Sequence, residues 1–219
     1  MTPELDLEGS TDHKMSPNAA TRERLVETAR NLFLVQGYNA TGVAQILKET
    51  GVNSGSLYHY FPTKEDLLLA VLEWYRDNIY EGLLRPVYER IDDPVERIFG
   101  ILEGYRQLVM MLEFEYGCPI GNLALELSNS HPIARNLIRE NFENWLVSIQ
   151  ENLVAASNVL PPDTDYRALA LFTLTVMEGA VMLAKTYRNI DPFDTAISQL
   201  RDHYDRLIRE GRDWSAPRR

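Results

Sequence analysis

Cysteine is almost missing from this 219-residue chain. Cys118 is the only one, so no internal disulfide can form and a small disulfide-stapled fold is excluded. A reducing compartment suits such a chain, and a cytoplasmic location is expected. Histidine is scarce too. The four, His13, His59, His131 and His203, are too scattered for metal-ligand spacing, and no glycine-rich phosphate loop occurs. Neither a metal, a cofactor nor a catalytic residue is expected. The N-terminus lacks a basic leader followed by an apolar stretch, so export by a signal peptide is not expected. The most apolar stretch, 168–184, is 17 residues long and carries Glu178. That is short for a membrane span and interrupted by a charge, so it reads as a buried helix and no membrane association is expected. No useful length of alternating strand pattern occurs either, and the period is helical throughout. The expected fold is all-α, with about nine helices.

The net charge of −10 hides a segregation. Residues 1–13 carry four acidic and no basic side chains. Residues 14–64 carry six basic against three acidic, and residues 65–219 carry 16 basic against 25 acidic. The one cationic segment in an anionic chain is where a polyanion would bind. Residues 1–17, acidic and aperiodic, are expected to be a disordered tail. From Thr21, Leu25, Ala29, Leu32 and Phe33 mark one face of a helix ending at Gly37. A second helix, with Val43, Ile46 and Leu47 on one face, follows Thr41 and stops at Gly51. A third runs from about Ser54 to Phe61, and after Pro62 the pair Thr63 and Asp66 forms a capping signal for a long helix directed towards Pro86. Later segments begin near Asp93-Pro94, Cys118-Pro119, His131-Pro132, Asp163 and Asp191-Pro192, where Pro at the first helical position gives up no needed N–H.

Residues 43–58 read as two helices around a tight turn, with Gly51 at the position that needs a left-handed residue. Ile46, Val52, Leu57 and Tyr60 lock the pair together. Asn53, Ser54, Ser56, Tyr58 and His59 are left facing outward, short or planar hydrogen-bonding groups without negative charge, as a helix lying in a major groove requires. Gly55 lets the backbone come close to DNA, and Lys64 adds a positive charge near a helix N-terminus.

Residues 21–68 resemble the DNA-binding head of the TetR family of transcriptional regulators. The resemblance rests on Ala29, Phe33, Gly37, Tyr38, Thr41, Ile46, Gly51, Val52 and above all the run Gly-Ser-Leu-Tyr-His-Tyr-Phe-Pro-Thr-Lys-Glu-Asp-Leu at 55–67. It implies that Thr41, Tyr58, His59 and Lys64 touch phosphates while Asn53, Ser54 and Ser56 face bases. Two positions depart from the family pattern. Leu47 stands where a small Ala is usual, and Ser54 where a basic residue is common. The implied division is a head at 18–66 and a ligand-binding and dimerisation body at 67–219.

The body carries aromatic and Met stripes at helical spacing, from Tyr75 and Tyr105 to Met177 and Met182, which as side chains read as core. The resemblance implies a small-molecule pocket among them. The segment 117–126 looks like a motif of one family branch, in the sixth helix. Cys118 before Pro119 places a sulfur at a helix N-terminus, where N–H groups and the dipole favour thiolate, so Cys118 is either a sensor thiol or a small buried hydrophobe. Glu178 on an apolar helix needs a partner, a dimer mate, a ligand or solvent. Cys118, Asn122 and Glu178 are the candidate effector residues. The eighth and ninth helices, about 164–187 and 192–211, resemble the pair that forms the family's dimer interface. The expected function is a ligand-responsive homodimeric repressor, released from a palindromic operator by a small molecule or electrophile. The alternatives are a nucleoid-associated DNA binder without an effector, or an all-α enzyme or carrier with a degenerate head.

Overall fold

Every helix that the capping signals announce is present in the structure, a computed structural model that describes residues 17–215. In chain order these are α1 (Pro17–Gln36), α2 (Val43–Thr50), α3 (Ser54–Tyr60), α4 (Lys64–Ile79), a π-helical turn (Tyr80–Leu84), α5 (Arg85–Arg90), α6 (Pro94–Met111), α7 (Pro119–Leu127), α8 (Pro132–Ala155), α9 (Tyr166–Tyr187) and α10 (Asp191–Ser215). No strand occurs among the described residues. Since α4, the π turn and α5 follow one another without a break in sequence, they count as one helical segment, and the described residues hold the nine helices expected. The sixth helix of the sequence reading is α7, and its eighth and ninth are α9 and α10. The predicted tail, 1–17, lies outside the described residues except for Pro17, which opens α1.

Three boundaries differ from expectation. The first helix starts at Pro17, a turn before Thr21, because Pro at the first helical position needs no donor. Pro86 does not end the long helix. It falls in the first turn of α5, whose N-cap is Leu84, where a backbone N–H has no intrahelical partner to lose, so helix resumes after the π turn. The cap of α9 is Asp165 rather than Asp163, its carboxylate accepting the Ala168 N–H at 2.9 Å. Elsewhere the caps fall as read. Asp93 accepts from the N–H groups of Val95 and Glu96, and Thr63 and Asp66 close a reciprocal capping box.

The chain packs as two compact units. One gathers the described residues 17–82 with Cys118–Phe142; the other gathers Leu83–Gly117 with residues 143–215. In the first, Leu25, Ile46, Leu57, Leu67 and Leu68 are fully buried where α1, α2, α3 and α4 meet, each such side chain contributing about 1.5–3 kcal/mol. In the second, α9 packs along α10 and against α6, with Leu102, Met177, Phe193 and Tyr204 in the core. The Tyr204 hydroxyl shares a 2.7 Å hydrogen bond with Thr173, and burial pushes its pKa up to about 12. α9 is also the one helix among the described residues long and apolar enough to cross a membrane by length and composition. Its packing along α10, with Leu174, Met177 and Val181 buried, accounts for that apolarity as a core face.

Candidate nucleic-acid interface

The turn between α2 and α3 has the geometry its glycine implies. Gly51 sits at φ 66° and returns its N–H to the Leu47 carbonyl at 3.0 Å. Thr50 reinforces the turn: its buried hydroxyl bonds the Ile46 carbonyl at 2.7 Å and accepts from the Val52 N–H at 3.3 Å. Ile46, Val52 and Leu57 are buried between the helices, as expected, while Tyr60 is half-buried. Asn53 caps α3, its Oδ1 accepting the Ser56 N–H at 2.8 Å. A Cβ on Gly55 would stand 3.3 Å from that oxygen, so glycine there also leaves the cap room.

The outward face of α3 is the one the sequence indicates. Asn53, Ser54, Gly55, Tyr58 and His59 are exposed and Ser56 is half-buried. The cap restricts Asn53: with its oxygen engaged, the amide NH₂ is the group left to donate outward. Tyr58 is 50% exposed, and His59 leans edge-on against Tyr60 with ring centroids 5.0 Å apart.

Two of the residues expected at phosphates already have partners within the free chain. Thr41 is fully buried. Its hydroxyl donates to the Gly37 carbonyl at 2.7 Å and accepts from Gln36 Nε2 at 3.2 Å, so it locks the α1–α2 turn and presents nothing to the surface. Lys64 is half-buried at the start of α4, its ammonium bonded to the Tyr38 carbonyl and 4.0 Å over the Tyr38 ring. Burial pulls its pKa below the ordinary lysine value, and the Glu126 carboxylate pulls it back up. Arg30 is turned inward too, buried with its guanidinium 3.7 Å above the Trp74 ring. Arg22, Arg24 and Lys48 are the exposed cations of the described head. The half-buried Leu47 fits where a smaller residue is usual in the family.

The effector candidates fall in different places. Cys118 is buried as the N-cap of α7, its Sγ accepting the Gly121 N–H at 3.4 Å. Half-buried Asn122 is one turn further along α7, in the same unit as the head. Glu178 belongs to the other unit, half-buried on α9 with Oε1 wholly buried. Two grooves of about 520 Å³ each open in that second unit. One, between α5, α6 and α10, is floored by Phe99, Phe193 and Ile197 and rimmed by the Arg106–Asp194 and Arg201–Glu96 ion pairs. The other lies between the start of α9 and α10, beside Leu169, Phe172 and His203. None of Cys118, Asn122 and Glu178 lines either groove.

A three-helix head with a polar, solvent-facing second helix of a helix-turn-helix pair, followed by a larger helical body, defines a helix-turn-helix transcriptional regulator. Residues 25–71 match the family described as bacterial regulatory proteins, tetR family, and residues 94–199 match the C-terminal domain described as transcriptional regulator LmrA/YxaF-like. The chain is 30% identical over 178 residues to the uncharacterized HTH-type transcriptional regulator YxaF of Bacillus subtilis, covering 81% of this chain and 92% of that protein. It is 28% identical over 179 residues to the HTH-type transcriptional repressor DhaR of a Mycobacterium species, covering 79% and 86%. A crystal structure of a TetR transcriptional regulator from Chloroflexus aurantiacus is similar at 30% identity with a TM-score of 0.75, covering 85% of this chain and 94% of that one. The chain belongs to the TetR family of transcriptional regulators, and it is a regulator rather than an enzyme.

Proposed function

We propose that the protein is a cytoplasmic, ligand-responsive homodimeric repressor that binds a palindromic operator and releases it when a small molecule or electrophile occupies the body. The observation that carries this reading is the outward polar face of α3, on which we assign Asn53, Ser54 and Ser56 to bases and Tyr58 and His59 to phosphates. Thr41 and Lys64 hold the turn behind them, residues 18–66 serving as the head and 67–219 as the body. Two heads on one two-fold axis would read half-sites about one helical turn apart. An effector that prefers a different head spacing would then weaken operator binding by population shift.

Comparing binding to operator and to unrelated duplex tests the assignment. Tyr58→Ala is expected to weaken binding to both, whereas Asn53→Ala is expected to relax preference at one base position by about 1–3 kcal/mol. Unchanged binding in both variants would sink it.

The dimer interface we assign to α9 and α10. Phe172, Thr175, Met182, Leu183 and Tyr187 are exposed and Val176 and Gly179 half-exposed along one stripe of α9, at three- and four-residue spacing. A second copy of this chain would cover that stripe.

Cys118, Asn122 and Glu178 we keep as the effector residues. The capped, buried position of Cys118 supports slow alkylation in the free protein. DNA release by a quinone or aldehyde is expected in the wild type and lost in Cys118→Ser. Equal release in both would leave Cys118 as packing and move the effector site to the grooves of the second unit.

A further inference from the structure

Glu126 has no part in the function proposed above, yet it makes the longest-range polar contact within the head's own unit. Its carboxylate, near the end of α7, accepts the backbone N–H groups of Tyr38 at 3.0 Å and Asn39 at 2.6 Å, almost ninety residues away in sequence. Those N–H groups belong to the turn that leads from α1 into α2. The turn is also held by the Thr41 N–H on the Tyr38 carbonyl at 3.1 Å and by Gln36 Nε2 on the Ala40 carbonyl at 3.3 Å, and its shape is set at Gly37, which has φ 86°. A Cβ there would lie 3.0 Å from Glu126 Oε2, so glycine is needed both for the left-handed backbone and for the approach of the carboxylate.

The placement runs against the helix dipole, since a negative group sits beside the C-terminal end of α1, where carbonyls already concentrate negative charge. Three features offset this. The two hydrogen bonds are charge-assisted. The Lys64 ammonium, bonded to the Tyr38 carbonyl, is attracted by the Glu126 carboxylate, which opposes the lowering of its pKa by burial. The Tyr38 ring is clamped among Phe33, His131 and Lys64, with the His131 ring edge-on at 5.3 Å from the α7–α8 link. Carboxylate, cation and ring together fix one pose of the turn. That pose is handed on to α2 through Gln36, which bonds Thr41 and Gln45.

We infer that Glu126 is a positioning residue for DNA recognition: it latches the α1–α2 turn to α7 and so holds the helix-turn-helix pair in its operator-binding pose. The inference rests on the reading of the head as DNA-binding. It also gives α7 a route to the head. Cys118, Asn122 and Glu126 recur every four residues along α7, one side of a helix, about 12 Å from first to last. Any displacement of α7 at its capped N-terminus moves the carboxylate at the other end.

The sign of the effect separates a latch from an ordinary surface acid. A carboxylate that merely sits near DNA repels phosphates, and removing it tightens binding to every duplex. A latch that positions the head does the reverse for operator alone. The experiment compares wild type, Glu126→Gln, Glu126→Ala and, as a control on the same helix, Leu125→Ala, whose side chain is 82% exposed. Each is measured by amide exchange in the free protein and by binding to two duplexes: one selected by the wild type from randomised DNA, the other a scrambled sequence. In Glu126→Ala the Tyr38 and Asn39 amides are expected to exchange at least tenfold faster. Selected-duplex affinity is expected to fall about tenfold, while scrambled-duplex binding holds or rises. Glu126→Gln, whose amide oxygen still accepts a hydrogen bond without the charge, is expected to lie between, and Leu125→Ala to match wild type. Unchanged exchange at Tyr38 and Asn39 in Glu126→Ala, or selected-duplex binding as tight as wild type or tighter, overturns the inference. A wild-type chain that selects no duplex overturns the DNA-binding reading beneath it instead. That outcome is told apart because the exchange difference is measured without DNA.

Discussion

Replacing Gly179 by Arg is expected to leave a folded monomer whose operator affinity has fallen by about 10²–10⁴-fold. Within one protomer nothing lies within 4 Å of where a Cβ at Gly179 would stand, so the new side chain meets open space and the subunit keeps its core. The consequence appears only when the α9 stripe is covered. Gly179 sits among Thr175, Val176, Met182 and Leu183, and a second copy packed on that stripe would bury the guanidinium without a partner carboxylate. An uncompensated buried charge costs about 3–5 kcal/mol, and a two-fold interface meets it twice. Once the pair separates, each head holds one half-site alone, and the effective-concentration gain of two linked sites, about 10²–10⁴, disappears. Sedimentation and operator binding report both halves of the expectation. A variant that sediments as a dimer would move the interface off α9.

Gly211→Ala is expected to be the most destabilising single methyl in the body. A Cβ there would stand 2.4 Å from the Val159 carbonyl oxygen, 2.7 Å from the Leu160 carbonyl carbon and 2.9 Å from the Val159 carbonyl carbon. All three are backbone atoms of the link between α8 and α9, and backbone cannot swing aside as a side chain does. Either α10 lifts from the link or the link moves, and in both cases the packing around buried Leu160 opens. A loss of about 3 kcal/mol or more follows, which lowers Tm by about 6–12 °C in a chain of this size. Gly100→Ala is the comparison. There the new methyl would meet the Ile91 Cδ1 at 2.6 Å and the Val87 Cγ1 at 3.0 Å, side-chain ends that can rotate, so its cost is expected to be smaller. Equal melting temperatures for Gly211→Ala and wild type would mean that the close approach is absent in solution.

The recognition helix was readable because its signals are local. A left-handed glycine at 51, a capping Asn53 and an apolar Leu57 one turn on specify a turn and a helix from neighbouring residues alone, and the polar residues between must then face outward. The partners that Thr41 and Lys64 find within the chain were not readable, for the opposite reason. Both are small steps in sequence from exposed neighbours, but their partners, the Gly37 carbonyl and the Tyr38 carbonyl and ring, become available only once α1 has ended in its particular turn. Arg30 is a similar case: nothing in its surroundings in sequence announces that Trp74, on another helix, offers a ring face.

The sequence by itself determined the helical class, the head at the N-terminal end, the caps that start α4, α6 and α7, and the apolar face of α9. Periodicity, capping and glycine conformation act over one to four residues, so the linear order of side chains already contains them. Only the tertiary structure decided which carboxylate serves which backbone. Glu126 and the N–H groups of Tyr38 and Asn39 are joined by packing of α7 against α1, and a contact across almost ninety residues leaves no period and no cap in the sequence. The same holds for the burial of Thr41 and for the stripe of α9 left bare. Each depends on which faces of neighbouring helices are already taken, and that is settled by the packing of the whole unit rather than by any segment of it.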